Sequence, residues 1–259
     1  MGVISSDTLF HFSNSAAYLI DIIKEGFKPR FCLEPHNTTM LFSDKTTEEA
    51  MPMTCFCDLP LSNITTHLDF YGSYGIGLSK EWGRIKGLTP LTYIHENSTQ
   101  INYLKNLATY ISTLHHDEEN PNKMPKQLLY PYGLLFEFTA FLKPYEGDIW
   151  RHDKYIKRRF YDEREWRFVP DLSNEKETYR LFKDDFLNEI LRANANETIS
   201  KKYRLTFSAN DIKYLIVKTQ NEMISLSDAL DSMKTVFNDR EIKILKTRII
   251  SSQQINEDF

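Results

Sequence analysis

The chain has 259 residues, 41% of them hydrophobic and 26% charged, which is the composition of a folded globular protein and excludes a disordered or fibrous one. Lys and Arg total 32 against 36 Asp and Glu, and the net charge of −4 excludes bulk electrostatic binding to nucleic acid while leaving room for a local basic groove. Three cysteines, no leader-like start and no run of 18 apolar residues predict a cytoplasmic protein without a disulfide framework or a membrane span.

In chain order, Thr8 to Phe12 reads as a short strand, and Ser15 to Lys24 as a helix with Ala16, Leu19, Ile20 and Ile23 on one face and Gly26 as its stop. Residues 28 to 50 carry polar loop signals. Met53 to Cys57 reads as a strand ended by Asp58 and Pro60. Tyr71 to Lys80 is punctuated by glycines, in the pattern of a tight turn between strands. Leu91 to Ile94 is the next strand, and Thr99 to His115 has helical spacing followed by a polar loop, His116 to Lys126. Further on come a strand at Glu165 to Val169, a polar helix at Glu175 to Ala193 and a buried strand within Lys213 to Lys218. A helix at Ser225 to Val236, capped by Ser225, and a last strand at Glu241 to Ile250 complete the chain. Strands and helices alternate without βαβ regularity, so the expected class is α+β, with mixed, mostly antiparallel sheets and flanking helices. One domain is expected over 1–259, with a helical insertion near 98–130.

The densest chemistry lies in Tyr161-Asp162-Glu163-Arg164-Glu165-Trp166-Arg167. On a strand, Glu163 and Glu165 share one face. Two such carboxylates form a catalytic pair of the kind that breaks glycosidic bonds, one holding a sugar hydroxyl and the other stabilising a developing oxocarbenium ion. The plainer reading is a surface strand with ion pairs. His11, at a strand-to-helix transition, can hydrogen-bond a ligand hydroxyl or be a satisfied core histidine. Tyr71 and Tyr74 stand among Gly72, Gly75 and Gly77, where backbone can approach a planar ligand and a ring can stack on it. The order is not that of a dinucleotide fingerprint or a P-loop. Cys32, Cys55, Cys57 and His67 supply four zinc-ligand types, but their spacing favours buried structural thiols, and no metal is assigned. Lys154, Lys157, Arg158 and Arg159 form a basic run, which reads as a phosphate contact or a solvated helix face.

Three segments carry a family resemblance: Leu9-Phe10-His11-Phe12-Ser13 with Leu19 to Phe27, Cys55 to Ser62 with His67 and Tyr71 to Trp82, and Tyr161 to Pro170. From about residue 8 to about 220 the chain resembles the AbiGi family of abortive-infection phage-resistance proteins, often labelled antitoxin. The same segments are similar, more distantly, to the ADP-ribosyltransferase pattern of His, Tyr and Glu on successive strands. That resemblance implies an ADP-ribosyltransferase-like fold and NAD as the ligand, with His11 holding a ribose, Tyr71 or Tyr74 stacking near nicotinamide, Glu165 as the central carboxylate and Glu163 as its helper. The first-strand Arg and the Ser-Thr-Ser strand of the arginine-modifying class are missing. The implied activity is ADP-ribosyl transfer to a protein or nucleic acid, or NAD hydrolysis. The alternative is a non-enzymatic antitoxin or phage sensor that binds a toxin, an antitoxin or a phage component through the same scaffold. A third reading is a nucleic-acid-acting factor that uses the basic run.

Overall fold

The structure is a computed structural model that describes residues 5–34, 49–113, 134–135, 137–151, 154–172 and 180–258. The elements run in order β1 Thr8–Ser13, α1 Ala16–Glu25, β2 Arg30–Glu34, β3 Glu49–Cys57, α2 Thr65–Tyr71, β4 Tyr74–Ser79, α3 Lys80–Ile85, β5 Thr89–Pro90, β6 Thr92–Ile94 and α4 Thr99–Thr113. They continue with β7 Leu142–Pro144, β8 Gly147–Arg151, β9 Lys154–Arg158, β10 Glu165–Phe168, β11 Leu181–Phe182, α5 Lys183–Leu187 and α6 Glu189–Lys202. Last come β12 Ile212–Val217, α7 Gln220–Asp231, α8 Asp239–Lys246, β13 Ile249–Ser251 and α9 Ser252–Asp258.

The class is the expected α+β. The central sheet has the order β13-β12-β4-β1-β3-β10-β5, with β2 and β11 also pairing β3. It is antiparallel apart from the β12–β13 pair. Side chains alternate across it, as strand geometry requires. Leu9, Ile76, Leu78, Leu215 and Val217 join one apolar cluster with α1, α7 and α8, while Phe10, Cys57 and Ile216 join another with Leu68 of α2 and Ile255 of α9. Helices therefore cover both faces, and the mid-sheet residues are almost fully excluded from solvent. Beside this sheet, α4 packs Ile101 and Ala108 against Ile94 and Leu142 of the small β6–β7 pair.

Several expected elements differ. Arg30–Glu34 is a strand inside the segment expected to be loop, and the expected Met53 to Cys57 strand starts earlier, at Glu49, because β2 and β3 register antiparallel from Arg30↔Met53 to Glu34↔Glu49. The glycine-rich segment is not a turn between strands: α2 runs up to Tyr71, Gly72 takes a φ of 117°, and β4 follows. The last expected strand is mostly α8. Asn238 and Glu241 form a reciprocal capping box there, and Ile242 and Leu245 bury one helical face, so three-residue spacing overrides the imperfect alternation. The helix expected from Ser225 begins instead at Gln220, where Thr219 and Glu222 close another capping box. The polar helix expected at Glu175 to Ala193 is two helices, α5 and α6, and α6 extends to Lys202. The basic run is strand β9, not a helix face. The loop expected at His116 to Lys126, residues 114–130 of the insertion expected near 98–130 and the start of the expected 175–193 helix lie outside the described residues.

Gly75 and Gly77 of β4 face β1 in register with Phe12 and Phe10. A Cβ on Gly77 would lie 2.7 Å from the Phe10 ring, and one on Gly75 2.7 Å from the Phe12 ring. These glycines leave the space that two aromatic rings of the neighbouring strand fill. Gly77→Ala should therefore lower unfolding free energy by about 1–3 kcal/mol through overpacking, read as a reduced urea midpoint at an unchanged slope; an unshifted midpoint would contradict this packing account.

Candidate functional site

The site starts where the central sheet splits. Strands β1 and β3 share a single registered pair, Phe10↔Cys57. Beyond it the ladder is replaced by a side chain: His11 Nδ1 lies 2.8 Å from the Cys55 carbonyl oxygen. A carbonyl only accepts, so Nδ1 carries the hydrogen and donates. Burial lowers the His11 pKa, with the Cys55 carbonyl acting in the opposite direction. The ring is braced edge-on against Phe27 at 5.2 Å.

The split opens onto a cavity of about 290 Å³ lined by Phe10, Phe12, His11, Tyr71, Glu163 and Glu165, among others. The predicted trio of His, Tyr and Glu thus meets in one place. Tyr71 is the tyrosine concerned. The Tyr74 hydroxyl instead donates to Glu222 Oε1 on α7 at 2.8 Å, so the stacking role expected for Tyr74 as an alternative is not available at this cavity.

Glu163 and Glu165 do share a direction, but not because both lie on one strand. Glu163 ends a 3-10 turn, Phe160–Glu163, and Arg164 takes the left-handed conformation at φ 45°, before β10 begins at Glu165. Both carboxylates then converge on Lys143 of β7, whose Nζ donates to Glu163 Oε2 at 2.7 Å and Glu165 Oε2 at 2.6 Å. Arg167 Nε donates to the other Glu165 oxygen at 2.9 Å, and Arg158 Nε lies 2.8 Å from Glu163 Oε1. The Tyr71 hydroxyl also donates to Glu163 Oε1, at 2.8 Å. The surface strand with solvated ion pairs is overturned, since Glu163, Glu165 and Arg167 are all buried. Lys143 is the residue that sequence reasoning missed; Arg167 was expected as a partner in an ion-pair strand and does pair with Glu165. Arg167 sits two positions after Glu165 on the same strand face, a signal that period-two reading holds, whereas Lys143 is brought in from another sheet.

The electrostatics follow from this pairing. Burial alone pushes the Glu165 carboxyl up, but the Arg167 guanidinium and the Lys143 ammonium outweigh it and hold the pKa at about 2. Burial pulls Lys143 down, and Glu165, Glu34 and Glu163 more than reverse this, leaving it well above the usual lysine range. Burial likewise pushes the Cys32 thiol up to about 12 and raises Cys55 and Cys57. At neutral pH the site therefore presents an ionised Glu165 and three protonated thiols, which are poor nucleophiles and poor metal ligands. Among the described residues no group of three His, Cys, Asp or Glu side chains is arranged to hold a metal.

Glu165 has a folded pKa below its unfolded value of about 4.3. Its contribution to stability is complete above that value and is lost as pH falls toward about 2. Lys143→Met removes one of the cations responsible and leaves two buried carboxylates short of a partner. It should cost about 3–5 kcal/mol at pH 7 and move acid unfolding to higher pH, both measurable by denaturant titration across pH. An acid transition identical to that of the parent would refute the role given to Lys143.

Comparison with known proteins adds a family. The profile described as abortive phage resistance protein AbiGi, antitoxin, matches residues 25–218. The abortive phage resistance protein AbiGi of Lactococcus lactis subsp. cremoris is 28% identical over 256 residues, covering 90% of this chain and 100% of that protein. No solved structure matches the chain. The profile match spans Tyr71, Lys143, Glu163, Glu165 and Arg167; His11 lies before it.

Proposed function

The chain belongs to the AbiGi family, and from that premise we propose that it is a phage-defence protein whose split-sheet cavity binds NAD and uses Glu165 in ADP-ribosyl transfer or NAD hydrolysis. The observation that carries this reading is the meeting of His11, Tyr71, Glu163 and Glu165 in one cavity.

The residues present fit part of such a ligand. About 290 Å³ is at the lower end of the ~300–1,000 Å³ usual for small-molecule pockets. It suits a ring with its sugar, and the rest of a dinucleotide must extend outside. Phe10, Phe12 and Tyr71 offer apolar faces for a planar ring. NAD, when bound, supplies a sugar–nicotinamide bond whose cleavage leaves positive charge on the sugar. Glu165 is ionised at working pH and needs no proton transfer to place negative charge there. Glu163, held by Tyr71, Lys143 and Arg158, orients that end of the cavity. Lys143 also opposes positive charge beside it, so this chemistry requires the ammonium to give up part of its hold on Glu165.

A second reading rests on that last point. Lys143 and Arg167 already occupy both Glu165 oxygens, as suits a structural ion network in a non-enzymatic antitoxin. The word antitoxin in the family description supports a toxin partner for this role. Among the described residues no helix is long and apolar enough to cross a membrane.

Nicotinamide release from NAD, assayed with and without phage lysate, separates the two. The enzyme reading expects release that falls about 100-fold or more in Glu165→Gln and in a more weakly coupled Glu163→Gln control only partly, with phage protection lost in parallel. Folded Glu165→Gln protein that still protects cells, together with no release from the parent, would favour the antitoxin.

A further inference from the structure

A second cavity of about 760 Å³ adjoins the first, and His67 lines both. His67, on α2, is 5% exposed. The backbone of Glu163 hydrogen-bonds its ring, while Nε2 is buried with no hydrogen-bond partner among the described residues. Burial lowers its pKa, so the ring is neutral at pH 7. The Glu163 contact raises that pKa, as a carbonyl accepting a ring N–H does, so the proton sits on Nδ1 and Nε2 is left as a buried acceptor. A buried acceptor that lines two cavities is a place where a donor, such as a ligand hydroxyl or amino group, would be held.

The outer cavity is cationic and aromatic. Arg158, Arg159 and Arg164 line it together with Phe70 and Tyr161. Arg158 stacks 3.6 Å over the Phe70 ring while its Nε holds Glu163 of the inner cavity. Arg159 is engaged with Asp162. Arg164 differs: among the described residues its guanidinium meets only the Tyr161 ring, at 5.8 Å. Its backbone is the single non-glycine with positive φ among those residues, and it is tied at both ends, its N–H to the Tyr161 carbonyl and its carbonyl to the Asp58 N–H. A strained conformation is thus fixed at the residue that carries an uncommitted charge into the groove.

We propose that this groove is a phosphate site. Arg164 holds the phosphate of a nucleotide unit in the groove beside Tyr161, and a hydroxyl or amino group of the same ligand donates to His67 Nε2, which lines both cavities. The proposal deepens the nucleotide reading of that cavity, but it concerns binding and requires no bond cleavage. The shared chemistry is a phosphate ester on a sugar, whether in a free nucleotide or in a single strand of RNA.

Calorimetric titration of the full chain with ADP, adenosine and a short single-stranded RNA tests it. ADP or the RNA should bind at least about tenfold more tightly than adenosine, the scale of one charge-assisted contact, and more weakly as salt rises. Arg164→Gln should remove that margin and Arg164→Lys should retain most of it, with both variants matching the parent in thermal midpoint within a few degrees. His67→Phe should weaken ADP and adenosine alike, because it removes the sugar or base contact and leaves the phosphate contact in place. Binding of ADP identifies a free nucleotide as the source, and binding of the RNA alone identifies a strand. No binding of either, or a phosphate margin unchanged in Arg164→Gln, overturns the site. Because ADP has no nicotinamide to lose, ADP binding without NAD turnover would sink the enzymatic reading and leave this one standing.

Discussion

The ammonium of Lys143, lodged between the carboxylates of Glu163 and Glu165, is the contact on which the rest of the site depends. It joins β7, which belongs to a separate two-stranded pair, to β10 of the central sheet and to the 3-10 turn before it. Arg167 extends the network toward Glu34 on β2, Arg158 brings in the β8–β9 hairpin, and Tyr71 brings in α2. Buried charges are tolerated only when paired in good geometry, and removing one leaves its partner exposed to the full desolvation cost. A chain built this way cannot displace any of these elements without stranding a charge. The network therefore specifies where the elements meet more than it adds to net stability.

The inner cavity follows from the same arrangement. Strand β3 follows β10 through four registered pairs, from Glu165↔Cys57 to Phe168↔Thr54, and keeps one pair with β1. His11 braces the opening by donating to a carbonyl that has lost its ladder partner. The opening is edged by aromatic rings on one strand and by an ionised carboxylate on another, with neutral thiols and imidazoles between them. Burial and pairing hold Glu165 ionised and the thiols protonated, so what this cavity offers a ligand is fixed charge. The strained backbone at Arg164 lies at the seam: it turns Glu163 and Glu165 into the inner cavity while sending its own side chain to the outer groove.

Much of this was legible beforehand, for identifiable reasons. The first strand and helix, the Met53 to Cys57 strand and the Tyr214 to Val217 strand declare themselves by period and by end signals, and local rules govern them. The carboxylate pair stands out because its charges interrupt an aromatic, strand-forming stretch. Elements decided by pairing partners were not legible. Arg30–Glu34 becomes a strand because β3 lies alongside it, and the glycines of β4 are explained by rings on a strand more than sixty residues earlier. The helix at Asp239–Lys246 was readable in principle, since its capping box is written in Asn238 and Glu241, but alternating isoleucines masked it.

The sequence by itself determined the α+β class, the family through motifs spread over most of the chain, and the candidates His11, Tyr71, Glu163 and Glu165, because residue type and short-range spacing are enough to mark them. Tertiary structure alone placed Tyr71 and not Tyr74 at the cavity, introduced Lys143 as the cation between the carboxylates, and left His67 Nε2 without a partner among the described residues. The physical reason is that pairing and desolvation are properties of neighbours in space. Whether a carboxylate is a solvated surface charge or a buried ion held at about pH 2 depends on cations supplied by other strands, and sequence distance does not encode that proximity.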